Sequence, residues 1–255
     1  PGNVINELIQ NDRVIGGMTE SCSEAAIEVY SSFVEGNCVT TNVRTAEMTK
    51  LTENASRDVG IAFANELSVI CDDLDIDVWE LISLANRHPR VNILNPGPGV
   101  GGHCIAVDPW FIVSKTPEHA QLIRTARKVN DAKPTWVIEK VKIAIADFLQ
   151  ANPEKTAKDV IIACYGLAFK PDIDDLRESP ALRIALRLAK LHDGRILGVE
   201  PNIDKLPKNI VNIELTNFKL ALEKADIHLL LVDHKEFKVK DVNLQYLVDT
   251  KGLWQ

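Results

Sequence analysis

The alternation of short apolar runs with amphipathic segments after residue 158 restricts the fold of this chain more than any other feature. The apolar runs are DVIIACYG, RILGVE, DIHLLLVD and the shorter YLVDT, and the intervening segments SPALRIALRLAKLHDG and FKLALEKA have a helical period. Ser179 and Pro180 open the first of these segments as an N-cap and a first-turn proline. Strands that alternate with helices predict a doubly wound parallel sheet with helices on both faces, so the expected fold class is α/β.

The part of the chain before residue 153 has a helical period instead. Residues 21–74 are expected to be helical throughout, including a long helix from residue 45 to about residue 74. Residues 117–149 predict another helix, which Pro134 bends or divides. The long helix carries an apolar stripe made of Ala64, Leu67, Ile70 and Leu74. This stripe predicts a homodimer that is built on the helices.

These patterns divide the chain into three expected parts. Residues 1–17 read as the last helix and strand of a preceding domain, and residues 18–153 form a central all-helical dimerisation domain. Residues 154–255 are expected to form a Rossmann-like α/β domain, whose boundary falls within the polar linker ANPEKTAKD.

Composition excludes several classes of protein. A net charge of −7 argues against a nucleic-acid surface, and no apolar run approaches the roughly 18 to 20 residues that span a bilayer. We therefore expect a cytoplasmic protein with no nucleic-acid or membrane partner. The five cysteines include no C-x-x-C pair, so we predict neither a disulfide framework nor a metal site, and most of the thiols are expected to be buried. His119, His192, His228 and His234 show no metal-ligand spacing and are expected to be structural or surface residues.

The stretch NPGPGVGGHC, residues 95–104, contains the spacing G-x-G-x-x-G of dinucleotide-binding loops. Its context does not fit that function, because Pro89 interrupts the segment before it and Pro109 prevents an unbroken helix after it. The glycines instead place Cys104 at an accessible bend rich in amide groups, where a thiolate or an oxyanion is stabilised. A buried core thiol is the alternative.

The long helix carries Lys50, Asn54 and Arg57 at i, i+4 and i+7, along one face. A solvated polar stripe is the alternative to a binding function. Gly60 and Asn65 disfavour a helix, which suggests close approach to a ligand or to another backbone.

A third group of residues follows the strand that ends at Gly166. Phe169, Lys170 and Arg177 lie in the loop that leads to the helix capped by Ser179. Open α/β sheets bind ligands at the carboxyl ends of their strands, and lysine with arginine suits phosphate. An ordinary loop with surface charges is the alternative.

Taken together, these three segments resemble the nucleotide-sugar 6-dehydrogenases of the UDP-glucose and GDP-mannose dehydrogenase superfamily. The shared motifs are K-x-x-x-N, G-x-G-x-G-G-x-C-x-x-x-D and G-x-x-F-K-x-x-x-x-D-x-R-x-S-P-A, which occur in family order over nearly the whole chain. UDP-glucose dehydrogenases usually have lysine where this chain has Val107 before Asp108. The segments GPGVGGHCIAVDPWF and RHPRVNIL are similar to the branch that oxidises UDP-N-acetyl-D-mannosamine.

The resemblance implies a role for each residue that matches a motif. It makes Cys104 the nucleophile and Lys50 the acid/base or oxyanion-stabilising lysine, with Asn54 and Asp108 in support. The implied substrate contacts are Arg57, His88, Arg90, Gly101, Phe169 and Lys170. Arg177 is implied to contact the dinucleotide. Related sequences often have arginine at the position of Gln255, so no ligand contact is assigned to Gln255.

The implied reaction is a four-electron, NAD-dependent oxidation of the C6 alcohol of a UDP-sugar to a carboxylate, through a thiohemiacetal and a thioester on Cys104. Enzymes of this kind begin with an NAD-binding domain, and residues 1–17 resemble only its end. We therefore expect the chain to be the central and carboxyl-terminal part of such an enzyme and to be inactive alone. The alternatives are that the sugar is that of UDP-GlcNAc or UDP-glucose, or that the chain is a non-catalytic binding and dimerisation module.

Overall fold

The structure is a computed structural model that describes residues 3–239 and 242–254; Gln255 therefore lies outside the described residues. The chain begins with α1 (Val4–Gln10), β1 (Arg13–Ile15), α2 (Glu20–Tyr30) and β2 (Cys38–Thr40). The strands β1 and β2 pair in parallel. The prediction of continuous helix over residues 21–74 is therefore wrong at β2. A strand of only three residues is too short to show a period in the sequence.

Four helices follow, which are α3 (Val43–Asp73), α4 (Val78–Ala85), α5 (Asp108–Lys115) and α6 (Gln121–Ala151). The helix α3 begins after Asn42, whose side chain accepts a hydrogen bond from the Thr45 amide at 3.0 Å. The predicted long helix is confirmed within two residues at its start. Pro134 does not divide α6, which runs continuously through it, and the proline is buried against the glycine loop.

Buried polar side chains join α3 to α6. The Arg127 guanidinium donates to the Asp58 carboxylate at 2.6 Å, and the Asn130 amide donates to the same carboxylate at 2.8 Å. Asn65 then donates to the Asn130 side chain at 2.9 Å and accepts from the Gly97 amide at 2.9 Å. This α3–α6 polar network pairs most of its buried polar atoms and ends on the backbone of the glycine loop, while Asp58 Oδ2 and Arg127 Nε have no hydrogen-bond partner among the described residues.

The carboxyl-terminal part contains a parallel sheet of five strands, in the order β5-β4-β3-β6-β7. The strands are β3 (Ile162–Tyr165), β4 (Ile196–Val199), β5 (Glu214–Leu215), β6 (Ile227–Leu230) and β7 (Leu247–Asp249). The helix α7 (Pro180–Leu191) connects β3 to β4, and α8 (Phe218–Lys224) connects β5 to β6. The prediction of a doubly wound parallel sheet is confirmed. The direction of strand order reverses between β3 and β6, where such folds form a crevice.

The two faces of the sheet bury different side chains, because successive residues of a strand point to opposite faces. On one face, Ile162 and Cys164 pack against α7 and against Val137 and Val141 of α6. On the other face, Tyr165 packs in a cluster with Ala163, Leu197, Phe237 and Trp254. The helix α6 therefore contributes to the core of the sheet as well as to the helical part.

The cysteines differ from the expectation that most of them are buried. Cys71 and Cys164 are buried, Cys38 is half-buried, and Cys22 and Cys104 are exposed. Burial raises the pKa of the Cys164 thiol to about 12. The alternative that Cys104 is a core thiol is therefore wrong.

No helix within residues 3–239 and 242–254 combines the length and the hydropathy that a membrane span requires.

Candidate active site

Cys104 lies in a turn between the glycine loop and α5. Gly102 has φ +84°, a left-handed conformation that favours glycine. The Cys104 carbonyl accepts the amides of Val107 at 3.0 Å and Asp108 at 2.8 Å, and this turn leads directly into the helix. Pro109 occupies the first turn of α5, where its missing N–H is not needed. The expectation that no unbroken helix follows the glycine loop is confirmed, because a turn over residues 104–107 separates the loop from α5; Pro109 itself lies inside that helix.

Asn54 of α3 lies next to Asp108, which is the first residue of α5. The Asn54 side-chain amide donates to the Asp108 carboxylate at 2.6 Å. Asn54 is only 8% exposed, so the bond forms in a largely dry environment. Because the Asp108 amide is bonded to the Cys104 carbonyl, the predicted residues Asn54, Asp108 and Cys104 form one connected group.

Lys50 lies one turn before Asn54 on α3, with its side chain exposed to solvent. Its ammonium group is 3.2 Å from the Glu53 carboxylate. It also lines an open cleft between α3 and residues 11–14. The cation is therefore accessible on the same helix as Asn54, but an exposed ion pair with Glu53 holds it only weakly.

The glycine loop packs closely against the loop that follows β3. A Cβ atom on Gly101 would lie 2.5 Å from the Glu178 carbonyl oxygen and 2.6 Å from Pro180 Cδ. A Cβ atom on Gly102 would lie 3.3 Å from Cε2 of the Phe169 ring. The glycines therefore permit an approach that side chains would block, and they bring Phe169 next to the turn that carries Cys104.

Arg177 is engaged by a neighbour in its own loop. Its guanidinium donates to the Asp175 carboxylate at 2.6, 2.9 and 3.1 Å. These hydrogen bonds hold the pKa of Asp175 down at about 2 and raise the pKa of Arg177. The arginine side chain stays 70% exposed and accessible to a ligand.

The remaining predicted contacts are exposed basic side chains of histidine, arginine and lysine. His88 and Arg90 lie in the turn after α4, where the Arg90 amide donates to the His88 ring at 3.3 Å. Arg57 and Lys170 are exposed on α3 and on the loop after β3. Among the residues that the structure describes, no ion pair neutralises Arg57, Arg90 or Lys170. The structure does not bond these residues to one another.

Gly60 and Asn65 face the segment that leads into the glycine loop. A Cβ atom on Gly60 would lie 3.1 Å from Leu94 Cδ1, which is a side-chain atom, and Asn65 accepts a hydrogen bond from the Gly97 amide. The predicted approach to another backbone is therefore confirmed for Asn65, whereas Gly60 is approached by a side chain.

Sequence reasoning missed Glu200 and His234, both buried beside the loop that follows β3. The Glu200 carboxylate accepts the amides of Leu167 and Ala168 at 2.8 and 3.0 Å and lies 3.0 Å from His234 Nε2. An acidic residue directly after the buried run RILGV was the available signal, since such a charge needs partners.

Two family models match the chain. The central domain of the UDP-glucose/GDP-mannose dehydrogenase family matches residues 44–132, and the UDP binding domain of that family matches residues 163–255. UDP-N-acetyl-D-mannosamine dehydrogenase of Yersinia pestis is 62% identical to the chain, over 100% of this chain and 61% of that protein. NDP-N-acetyl-D-galactosaminuronic acid dehydrogenase of Ralstonia nicotianae is 58% identical, over 100% and 59%.

Solved structures agree with these matches. The UDP-N-acetyl-mannosamine dehydrogenase from S. aureus is similar at a TM-score of 0.82 and 41% identity, over 100% of this chain and 59% of that one. The chain thus spans about three fifths of the length of the relatives that it matches.

Proposed function

Because the chain belongs to the UDP-glucose/GDP-mannose dehydrogenase family, we propose that it carries the catalytic cysteine and the UDP-sugar site of an NAD-dependent nucleotide-sugar 6-dehydrogenase. One observation carries this proposal. The exposed Cys104 lies in a turn that is tied to the Asn54–Asp108 pair on one side, and the adjoining glycines pack against Phe169 on the other.

The proposed chemistry uses Cys104 as a nucleophile. Loss of a hydride and a proton from the C6 alcohol gives an aldehyde. The Cys104 thiolate adds to its carbon, and protonation of the oxygen gives a thiohemiacetal, which a second loss of hydride and proton converts to a thioester. Water then adds to the thioester and expels the sulfur, which yields the carboxylate and restores the thiol.

Two pairs of groups support these steps. Lys50 and Asn54 lie one turn apart on α3 and are proposed to stabilise the oxyanion that develops at C6. Asp108 follows Cys104 by one turn of backbone and is proposed to orient or activate the water. Asn54 holds Asp108 in place for this step.

The anionic substrate is proposed to bind between the cations of the helical part and the loop after β3. The implied contacts Arg57, His88, Arg90 and Lys170 are exposed, and Gly101 and Phe169 form the junction between the two parts. Cations without a protein partner suit a diphosphate, which offers several charged oxygens to each of them.

NAD accepts the two hydrides when it is bound. The glycine loop does not fit a dinucleotide, because the element directly before it is α4 and not a strand, and the backbones of residues 101 and 178 already meet there. We propose that NAD binds mainly to a part of the enzyme outside these 255 residues and that Arg177, which remains exposed, contacts it from this chain.

The proposed substrate is UDP-N-acetyl-D-mannosamine, which would be oxidised to UDP-N-acetyl-D-mannosaminuronate. Val107 before Asp108, together with the relatives whose names carry this sugar, supports it over UDP-GlcNAc and UDP-glucose. The chain alone is proposed to bind the UDP-sugar without turnover, as the central and carboxyl-terminal part of the enzyme.

The enzyme is proposed to be a cytoplasmic homodimer that is joined through the central helices. Of the predicted stripe, Ile70 and the C-cap residue Leu74 are 43% and 62% exposed, whereas Ala64 is completely buried within this chain. Phe63 of α3 is 52% exposed, and together with Ile70 and Leu74 it leaves apolar surface for a second copy to cover. Light scattering at micromolar concentration tests this, and a monomer would contradict it.

The deciding experiment replaces Cys104 by serine in the enzyme that contains this chain. Cys104→Ser should keep the affinity for UDP-N-acetylmannosamine and lose most of the turnover, because a serine hydroxyl is a poorer nucleophile and its ester a slower acyl donor. Cys22→Ser, at another exposed thiol, is the matched control and should keep full activity. A near-normal kcat for Cys104→Ser would remove Cys104 from the mechanism.

A further inference from the structure

We propose that Glu200 and His234 are positioning residues, which hold the loop of residues 167–172 so that Phe169 and Lys170 face a bound diphosphate. This inference rests on the proposed function, since it gives Phe169 and Lys170 their ligand. It adds two residues that contact the loop from beyond the ends of β4 and β6, the strands on either side of β3.

Glu200 fixes the start of the loop. It follows β4 directly and is 4% exposed. One carboxylate oxygen accepts the amides of Leu167 and Ala168 at 2.8 and 3.0 Å, and the other accepts the amide of Asn202 at 3.2 Å. Two consecutive backbone amides that share one oxygen leave the chain little freedom just before Phe169.

His234 fixes the end of the loop from the side of β6, which β3 separates from β4. It follows β6 and is completely buried. Its Nδ1 accepts the Asp172 amide at 2.9 Å, and its Nε2 lies 3.0 Å from the Glu200 carboxylate. The Asp172 carboxylate in turn accepts the Lys235 amide at 3.0 Å. The loop is therefore held at both ends by one connected pair of side chains.

The backbone amide of Asp172 determines which ring nitrogen of His234 carries a hydrogen. A backbone amide only donates, so Nδ1 of His234 must accept, and Nε2 carries the hydrogen toward Glu200. Burial alone would raise the pKa of the Glu200 carboxyl, but the hydrogen bonds from His234, Leu167 and Ala168 outweigh burial and lower it. Glu200 is thus an anion whose hydrogen bonds are charge-assisted, which makes them stronger than neutral ones.

Asp172 needs this support because its backbone is strained. Its φ of +60° lies in the left-handed region, which residues other than glycine adopt at a cost. Asp172, His234 and Glu236 also place possible metal-ligating atoms within 4.8 Å of one another. Both ring nitrogens of His234 are already hydrogen-bonded, so these atoms serve the loop and leave no nitrogen for an ion.

Two substitutions of His234 distinguish its hydrogen bond to Glu200 from its hydrogen bond to the Asp172 amide, because each substitution keeps only one of them. In His234→Gln the side-chain amide takes the place of Nε2 and still donates to Glu200, but nothing accepts the Asp172 amide. In His234→Asn the side-chain oxygen takes the place of Nδ1 and keeps the Asp172 bond. The matched control is His228→Asn, which removes a buried imidazole bonded to Tyr165 at 2.8 Å in the same sheet and does not touch the loop.

Calorimetric titration of the 255-residue chain with UDP measures positioning, and thermal melting measures stability. We expect His234→Gln to raise the Kd for UDP about fivefold to tenfold, the loss that one buried hydrogen bond produces. His234→Asn should recover most of the affinity. His228→Asn should lower the melting temperature to a similar extent and leave the Kd within about twofold of the native value.

Amide hydrogen exchange gives a readout that does not depend on the ligand. The Asp172 amide should exchange slowly in the native chain and in His234→Asn, and rapidly in His234→Gln. An unchanged Kd and an unchanged Asp172 exchange rate in His234→Gln would overturn the positioning role. A native chain that does not bind UDP would overturn the proposed UDP-sugar site instead, and the exchange rates would then decide the anchoring of the loop.

Discussion

Asn54 donates a hydrogen bond of 2.6 Å to Asp108, and this bond links the middle of α3 to the first residue of α5. The two residues are 54 positions apart in the chain. The bond fixes the carboxylate beside the turn of Cys104, so it connects the geometry of the helices to that of the proposed nucleophile.

Asn54→Asp should make stability depend on pH in a way that the native chain does not. Two carboxyl groups at hydrogen-bond distance cannot both ionise, so the folded pKa of one of them rises above its unfolded value. A raised folded pKa means that stability is present at low pH and is lost as pH increases. We expect a loss of about 2 to 4 kcal/mol between pH 4 and pH 7, measured by thermal melting. Asn54→Ala should show no such slope, and equal slopes for the two variants would refute the prediction.

Gly101→Ala should destabilise the chain and weaken UDP binding together. The new methyl group would lie 2.5 Å from the Glu178 carbonyl oxygen, which is rigid backbone, so the glycine loop must move away from Phe169. We expect a cost of about 1 to 3 kcal/mol in chemical denaturation. Gly97→Ala is the control, because the nearest atom to its methyl group is the end of the Lys251 side chain at 3.8 Å. A similar loss in both variants would contradict this explanation.

Alkylation should distinguish the two exposed cysteines. Hydrogen bonds from Thr19 lower the pKa of Cys22, so its thiol reacts as readily as an exposed Cys104. Buried Cys71 and Cys164 should react slowly. Limited iodoacetamide treatment followed by peptide mass spectrometry should find Cys22 and Cys104 modified first. Saturating UDP-sugar should protect Cys104 alone, and protection of both thiols would argue against a ligand at the glycine loop.

Lys133 should make the protein more stable as pH rises above neutrality. Burial lowers its pKa to about 7, while Asp72 acts in the opposite direction. The unfolded chain, with an ordinary lysine pKa of 10.5, therefore binds more protons between pH 7 and pH 10.5, and stability increases across that window. The slope is at most about 1.4 kcal/mol per pH unit.

Urea denaturation at pH 7 and at pH 9.5 tests this slope. Lys133→Met should remove it, and the exposed Lys128→Met should keep it. Lys133 also donates to Ser68 and lies 3.6 Å above the Trp136 ring, so some stability is lost with its contacts at both pH values alike. Parallel slopes in Lys133→Met and the native chain would rule out the assignment.

Most of the elements that the sequence predicted are long enough to show a period. The buried runs at β3, β4 and β6 and the N-cap at Ser179 were recognisable because many consecutive residues carry the same signal. The three-residue strands β1 and β7 were also predicted, from short apolar runs. The strands β2 and β5 were not, because they contain only three and two residues and pairing with distant partners decides their structure.

The residues of the candidate site also differ in whether a local sequence pattern predicts them. Cys104 and Phe169 belong to motifs with recognisable spacing. Glu200 and His234 are 34 residues apart, and they come together because β4 and β6 lie on either side of the same strand, β3. Strand order is set by how the connections cross the sheet, and no local pattern encodes it. The bond between Asn65 and Gly97 was hidden because it joins a helix to a loop 32 residues away, and no local pattern encodes how the two pack.

The α3–α6 polar network has a consequence for the order in which the chain acquires its shape. Asn65 holds the Gly97 amide, Asn130 holds Asn65, and Phe169 and Pro180 pack against Gly101 and Gly102, so several partners of the glycine loop are made only after the loop itself. During synthesis, Cys104 is made before α6. Until α6 is made, the Cys104 thiol lies on a loop that lacks the support of Asn130. The loop reaches its final form only when a distant helix docks, and contacts of such separation form late in folding. Reactive thiols on nascent chains would thus be exposed to oxidants for the time needed to make and dock α6.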